Sequence, residues 1–248
     1  MPEQSGPAIL ERLGHGAPVS VSAVSGGCIA NAQVAKFSDG SEVFVKSTDT
    51  TGDMFRREAE GLDALAKAGA IRVPGVLAVD DEALVLEKIT SAPRRSGFFA
   101  EFGARFARLH RSAGPRCGFP QDNYIGLTPQ LNKPLDGHWP NDGGTSAIPG
   151  DGSDWPAFFM ERRLRFQVRL AETRGHGREL AELLDRAEAS IRESLEKAIE
   201  PPSLLHGDLW SGNFMTGESG EPCLIDPAVY YGHREADLAM TRLFGGFG

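Results

Sequence analysis

The sequence predicts an α+β chain in two lobes: a small first lobe with an antiparallel sheet of about five strands and one helix, and a larger, mostly helical second lobe. Three observations carry this. Short alternating apolar runs separated by glycine- and acid-rich turns occupy residues 19–86. Apolar residues at helical spacing recur between residues 94 and 195. Late in the chain two buried-looking runs, Ser203-Leu204-Leu205 and Cys223-Leu224-Ile225, each deliver an acid into a loop. The boundary falls after residue 88, giving lobes 1–88 and 89–248.

In the first lobe, residues 8–13 read as a short helix ended by Gly14 and Gly16. Residues 19–24, 32–37 and 42–46 follow as three strands of a meander, with Ser38-Asp39-Gly40-Ser41 as the second turn. Gly26, Gly27 and Cys28 sit at the first bend, where backbone N–H groups can approach phosphates closely; two glycines at a hairpin also serve simply as a turn. Cys28 fills that bend as a small residue, or carries a thiol whose pKa the converging amides lower. Residues 53–68 form a helix stopped by Gly69, with Phe55, Leu62, Leu65 and Ala66 on its apolar face. Glu58 falls on that same face, whereas Glu60 points to solvent. An inward acid needs a partner, because an unpaired buried charge costs several kcal/mol. Lys46, at the end of the third strand, is the nearest cation in sequence. Residues 76–79 and 83–86 make a second hairpin, and Glu87 opens the link between lobes, where backbone groups would read the edge of a nucleotide base.

In the second lobe, Phe99, Phe102, Phe106 and Leu109 place a buried helix in residues 94–112, with His110 as a structural hydrogen-bonder. Residues 130–153 lack a period and read as a long loop. Ser153 or Asp154 then caps a helix opening at Trp155-Pro156. Its Arg162, Arg163, Arg165 and Arg169 read as a solvated face pairing with acids. Leu180, Leu184, Ala187, Ile191 and Leu195 define another amphipathic helix.

The chemistry concentrates in His206-Gly207-Asp208-Leu209-Trp210-Ser211-Gly212-Asn213 and Leu224-Ile225-Asp226. Asp208 is followed by Asn213 five positions later and by Asp226 thirteen positions after that. An Asp, an Asn and an Asp brought to one spot make a hard-oxygen corner suited to Mg²⁺ with substrate phosphates. Beyond it, Tyr230 and Tyr231 wall a pocket or pack, and Asp237 ties loops together.

Bulk properties exclude several classes. The chain has 248 residues, 40% hydrophobic and 24% charged, an ordinary globular composition. A net charge of −8 argues against a nucleic-acid partner. Cys28, Cys117 and Cys223 are too few and scattered for a disulfide framework. No apolar run approaches membrane-spanning length and the first residues lack a secretion signature, so a cytoplasmic setting without membrane contact is expected.

Taken together, HGDLWSGN, IDPAVYYGHREADLAM, SGGCIANA, VFVK and DNYIGLTPQ resemble the fructosamine kinase (ketosamine 3-kinase) family, within the aminoglycoside-phosphotransferase-like branch of the protein-kinase-like fold. The resemblance runs from about residue 25 to Gly248. It implies Asp208 as catalytic base, Asn213 and Asp226 as Mg²⁺ ligands, Lys46 as the phosphate-binding lysine and Glu58 as its ion-pair partner. It further implies ATP as phosphoryl donor and, as acceptor, the 3-hydroxyl of a ketoamine on a small amine or a protein lysine. The alternatives are a kinase for another hydroxyl compound, such as an aminoglycoside, choline or a sugar, or a nucleotide-binding regulator without transfer activity. Three departures stand out: GGCIANA lacks an Asn directly after Ile29, residues 131–152 exceed the family's usual connection, and relatives continue past Phe244–Gly248 with helices lining the acceptor pocket. That pocket is therefore expected to be less complete here.

Overall fold

The computed structural model describes residues 8–24, 30–48, 52–140 and 150–247. Its contacts gather into two compact units: Met1–Phe106, Leu209–Pro227 and Phe244–Gly248 form the first, and Ala107–Asp208 with Ala228–Leu243 the second. Among the described residues no helix is long and apolar enough to cross a membrane.

The first unit is built on β1 (Ser20–Ala23), β2 (Asn31–Lys36), β3 (Glu42–Ser47), β4 (Val76–Val79) and β5 (Ala83–Glu87), with helix α1 (Met54–Ala68) between β3 and β4. The sheet order is β1-β2-β3-β5-β4, and every neighbouring pair is antiparallel. Alternation along β3 assigns its two faces. Val43 and Val45 pack with Ile9, Leu10, Ala35, Phe37, Ala83 and Val85. Phe44, on the opposite face, packs against a cluster that Phe55, Ala59 and Leu62 of α1 form with Leu84 and Leu86 of β5. Burying a Phe or Leu side chain of this kind contributes about 2 kcal/mol. Gly69 ends α1 in the left-handed conformation at φ +61°, its N–H donating to the Ala66 carbonyl.

Helix α2 (Phe98–Leu109) starts later than the expected residue 94. Gly97 lies at φ +75°, which breaks the helical path, and the Arg94 guanidinium instead covers the rings of Phe98, Phe99 and Phe214.

The second unit contains β6 (Asn123–Ile125) paired with β7 (Thr128–Gln130), then α3 (Trp155–Phe158), a π-helical stretch Phe159–Arg165, α4 (Phe166–Thr173) and α5 (Gly177–Glu196). It also holds β8 (Ser203–Leu205). The first unit contributes a late hairpin of β9 (Phe214–Thr216) and β10 (Pro222–Leu224), in which Leu224 faces Phe214. Strand β11 (Tyr230–Gly232), antiparallel to β8, and helix α6 (Glu235–Leu243) complete the second unit. Cys117, Trp155, Phe158, Leu205 and Tyr230 form a buried core there.

Two expectations are corrected in this unit. Asp154 sits at the N-cap of α3 but makes no capping bond; its carboxylate takes the backbone N–H of Cys117 at 3.1 Å. Arg163 is half-buried rather than solvated, donating to the Leu131 carbonyl at 2.6 Å and Asn132 Oδ1 at 2.7 Å. It lies 4.1 Å from the Tyr230 ring centroid and 4.9 Å from that of Phe158. Burial lowers its pKa, and the aromatic faces and carbonyls replace the water that a weakly hydrated guanidinium gives up. Arg165 does follow the expected pattern, pairing with Glu161, Asp185 and Glu188. In helix α5 the stripe residues Leu184, Ala187, Ile191 and Leu195 are half-buried, and Leu180, at 44%, is exposed. Tyr230 and Tyr231 both pack, the latter stacked with Phe119 and Trp139.

Candidate active site

Within the first unit, β3 and α1 bring two of the sequence candidates together. Lys46 shares the Phe44 face of β3, and Glu58 lies between the buried Phe55 and Leu62 on α1. Lys46 Nζ donates to Glu58 Oε1 at 2.6 Å and to Asp226 Oδ1 at 2.5 Å. Burial presses Lys46 toward its neutral form, but the carboxylates of Glu58 and Asp226 outweigh it and hold its pKa above the ordinary value. Burial also raises the Glu58 carboxyl, with Lys46 opposing. The Asp226 side chain remains 46% exposed, so its oxygens stay accessible to a ligand.

Asp226 leaves β10 at φ +55°, the one non-glycine residue with positive φ among the described residues. That conformation costs about 1–3 kcal/mol and persists only where the surroundings impose it. Asn213 imposes part of it. Buried to 5% exposure, it accepts the Ile225 N–H at 3.0 Å on its carbonyl and directs Nδ2 to the Asp226 carbonyl at 3.4 Å. Among the described residues there is no group of three or more His, Cys, Asp or Glu able to hold a metal. Asn213 and Asp226 would offer a cation one amide and one carboxylate oxygen. All-oxygen and sparse, this set fits a hard cation that completes its shell with phosphate oxygens and water, rather than zinc.

Asp208 belongs to the second unit, three residues beyond β8 and half-buried. The turn that carries it is tightly specified. Gly207 sits at φ +82°, and a Cβ there would lie 1.9 Å from the Ala228 carbonyl oxygen, so only glycine fits. The Ala228 N–H donates to the His206 carbonyl at 2.9 Å. Asp237, 1% exposed, accepts the backbone N–H of His206 at 2.8 Å on Oδ2 and of Gly207 at 2.9 Å on Oδ1, with His110 Nε2 3.1 Å from Oδ2. Asp237 therefore ties this loop together, and His110 is a structural hydrogen-bonder, as their positions in the sequence suggest.

Gly26, Gly27 and Cys28 lie outside the described residues. Glu87 ends β5 with its carboxylate turned to Arg72 Nη2 at 2.6 Å and the Gly75 N–H at 3.1 Å, not toward Lys46. Arg72 itself carries no sequence signal: its acidic partners, Glu87 and Glu221, lie 15 and 149 positions away.

The chain matches the fructosamine kinase family model over residues 5–141 and 143–248. It is 36% identical over 233 residues to the chloroplastic protein-ribulosamine 3-kinase of Oryza sativa subsp. japonica, an alignment covering 91% of this chain and 63% of that protein. The chain thus spans just under two thirds of that relative's length. A crystal structure from Thermobifida fusca assigned as a fructosamine-3-kinase superposes with a TM-score of 0.78 at 30% identity, covering 96% of this chain and 78% of that one. An ethanolamine kinase from Plasmodium vivax, at 14% identity and a TM-score of 0.57, covers 89% of this chain and 59% of its own, and shows the shared fold alone. With its α+β, protein-kinase-like fold, this chain belongs to the fructosamine kinase family.

Proposed function

We propose that the protein is an ATP-dependent kinase acting on the 3-hydroxyl of ketosamines. The observation that supports this most directly is the double engagement of Lys46, bonded at once to Glu58 and Asp226. A lysine so held presents a fixed, fully charged ammonium where phosphate oxygens would bind. Asn213 and Asp226 would hold a divalent cation, Mg²⁺ by their oxygen chemistry, which when bound neutralises phosphate charge. Asp208 orients the acceptor hydroxyl and takes its proton on a carboxylate oxygen. Phosphoryl transfer needs positioning and charge neutralisation more than covalent help, so few side chains suffice. The ribulosamine 3-kinase relative supports this acceptor class. Phosphate at that position is a better leaving group than hydroxide, so the adduct can eliminate and release a free amine, on a small molecule or a protein lysine. A reducing, cytoplasmic setting belongs to the same reading, supported by Cys117 and Cys223 being buried free thiols.

The test is ADP release with ribulosyl- or fructosyl-lysine beside choline and an aminoglycoside, for the wild type and Asp208→Asn. Turnover is expected with the ketoamines and to be lost in Asp208→Asn, which keeps its thermal shift with Mg²⁺-ATP. Turnover retained by Asp208→Asn overturns the assignment of the base. A thermal shift without product from any acceptor favours a nucleotide-binding regulator instead.

A further inference from the structure

Arg72 joins three segments of the first unit. It lies in the link between α1 and β4 and forms a parallel bridge with Cys223. Its carbonyl accepts the Leu224 N–H at 2.8 Å, two residues before Asp226. Its guanidinium reaches two acids, Nη2 to Glu87 Oε1 at 2.6 Å and Nη1 to Glu221 Oε1 at 3.3 Å. Glu87 ends β5, the strand whose Leu84 is the register partner of Lys46. Glu221 precedes β10 and places its other oxygen on the Ser219 N–H at 2.9 Å. One residue thus links the strand beside Lys46 to the hairpin that delivers Asp226.

We infer that Arg72 is a positioning residue for the nucleotide and metal site, setting the placement of Asp226 relative to Lys46 through Glu87 and Glu221. The inference rests on the nucleotide-binding reading above. Magnitudes separate this role from plain stabilisation. The Arg72–Glu87 pair is 31% and 42% exposed and contributes little to folding, whereas the Arg72–Glu221 pair ends on a carboxylate only 11% exposed, so a stability loss accompanies any loss of position there. Groups bonded directly to a metal ligand typically change metal affinity by about tenfold or more; Arg72 acts one step further back, through Glu221 and the main chain of β10, so about tenfold is the upper end of the expected effect. Lysine replaces the arginine only in part, because one ammonium lacks the planar fork that spans two carboxylates. The main-chain bond to Leu224 survives any side-chain substitution, so the guanidinium can be tested separately.

The experiment is calorimetric titration of ADP, with and without Mg²⁺, into the wild type, Arg72→Ala, Arg72→Lys and Glu221→Gln. Arg72→Ala is expected to weaken Mg²⁺-ADP binding by up to about tenfold while leaving metal-free ADP binding largely unchanged. Arg72→Lys and Glu221→Gln should show smaller losses with the same dependence on metal. Equal losses with and without Mg²⁺, or no loss, overturn the assignment of Arg72. A wild type that binds no ADP overturns the nucleotide reading itself, a result distinct from normal wild-type binding with unaffected variants. If Arg72→Ala does not fold, the isosteric Glu221→Gln decides the matter by the same comparison.

Discussion

Replacing Asp237 by Asn changes one atom in a buried carboxylate and tests how the loop before Asp208 is held. The carboxylate oxygens each accept one backbone N–H, from His206 and Gly207, in a site 1% exposed. An amide offers one acceptor oxygen and one NH₂ donor, so in either orientation one backbone N–H faces another donor. A hydrogen bond to a charged acceptor contributes roughly 1.5–3 kcal/mol, and the surviving bond also weakens when the charge is removed. Part of the loss is offset because a neutral amide costs less to bury than a carboxylate. The expected net destabilisation is therefore about 2–3 kcal/mol, rising to roughly 4 kcal/mol in Asp237→Ala, where both N–H groups lose their partner and a cavity remains. Urea unfolding of the wild type and both variants measures this. In activity, kcat should fall by about tenfold to a hundredfold with KM for ATP little changed, since the displaced group is Asp208 rather than Lys46 or Asp226. An Asn variant within about 0.5 kcal/mol of the wild type, the range of ordinary surface changes, would show that the two amides do not depend on the carboxylate.

Two further outcomes are expected. Gly207→Ala should destabilise by about 3 kcal/mol or more and abolish transfer, because its Cβ would sit 1.9 Å from the Ala228 oxygen. Gly40→Ala, at a similar φ of +86° but with nothing within 4 Å, should cost only about 1–2 kcal/mol and keep activity; equal losses would show that backbone angle alone matters. Burial pushes the Cys223 thiol from 9.0 up to about 12. Because the folded pKa is raised, the unfolded chain deprotonates first, and this contribution to stability, complete below pH 9, is lost as pH climbs toward 12. Relative to Cys223→Ala, the wild type should lose up to about 1.4 kcal/mol per pH unit across that window, read from urea midpoints at pH 8, 9 and 10. Parallel curves for the two proteins would contradict it.

Several features were legible before any coordinates because their causes are local. The period-two runs of β3 and β5 and the apolar face of α1 follow from side-chain direction within single elements. The Lys46–Glu58 pair was legible for a related reason: an acid on a buried helical face must find a cation, and the adjoining strand ends in one. Asp208, Asn213 and Asp226 stood out by residue type and by the apolar run before each loop. The burial of Arg163 was not legible, since the rings and carbonyls that enclose it come from segments 5 to 67 positions away. The start of α2 is not legible either, because the Phe spacing extends inward from Phe98 and says nothing of the bend at Gly97.

By itself, then, the sequence determined the strands of the first unit, helix α1 with its inward acid and the kinds of oxygen atoms available for a cation, because each depends on neighbours within a few residues. Only the tertiary structure decided that Asp226 meets Lys46 across 180 positions, that Asp237 clamps His206 and Gly207, and that Arg72 joins β5 to the hairpin before Asp226. Those contacts require distant segments to be brought into register, and no local preference specifies which distant group will arrive.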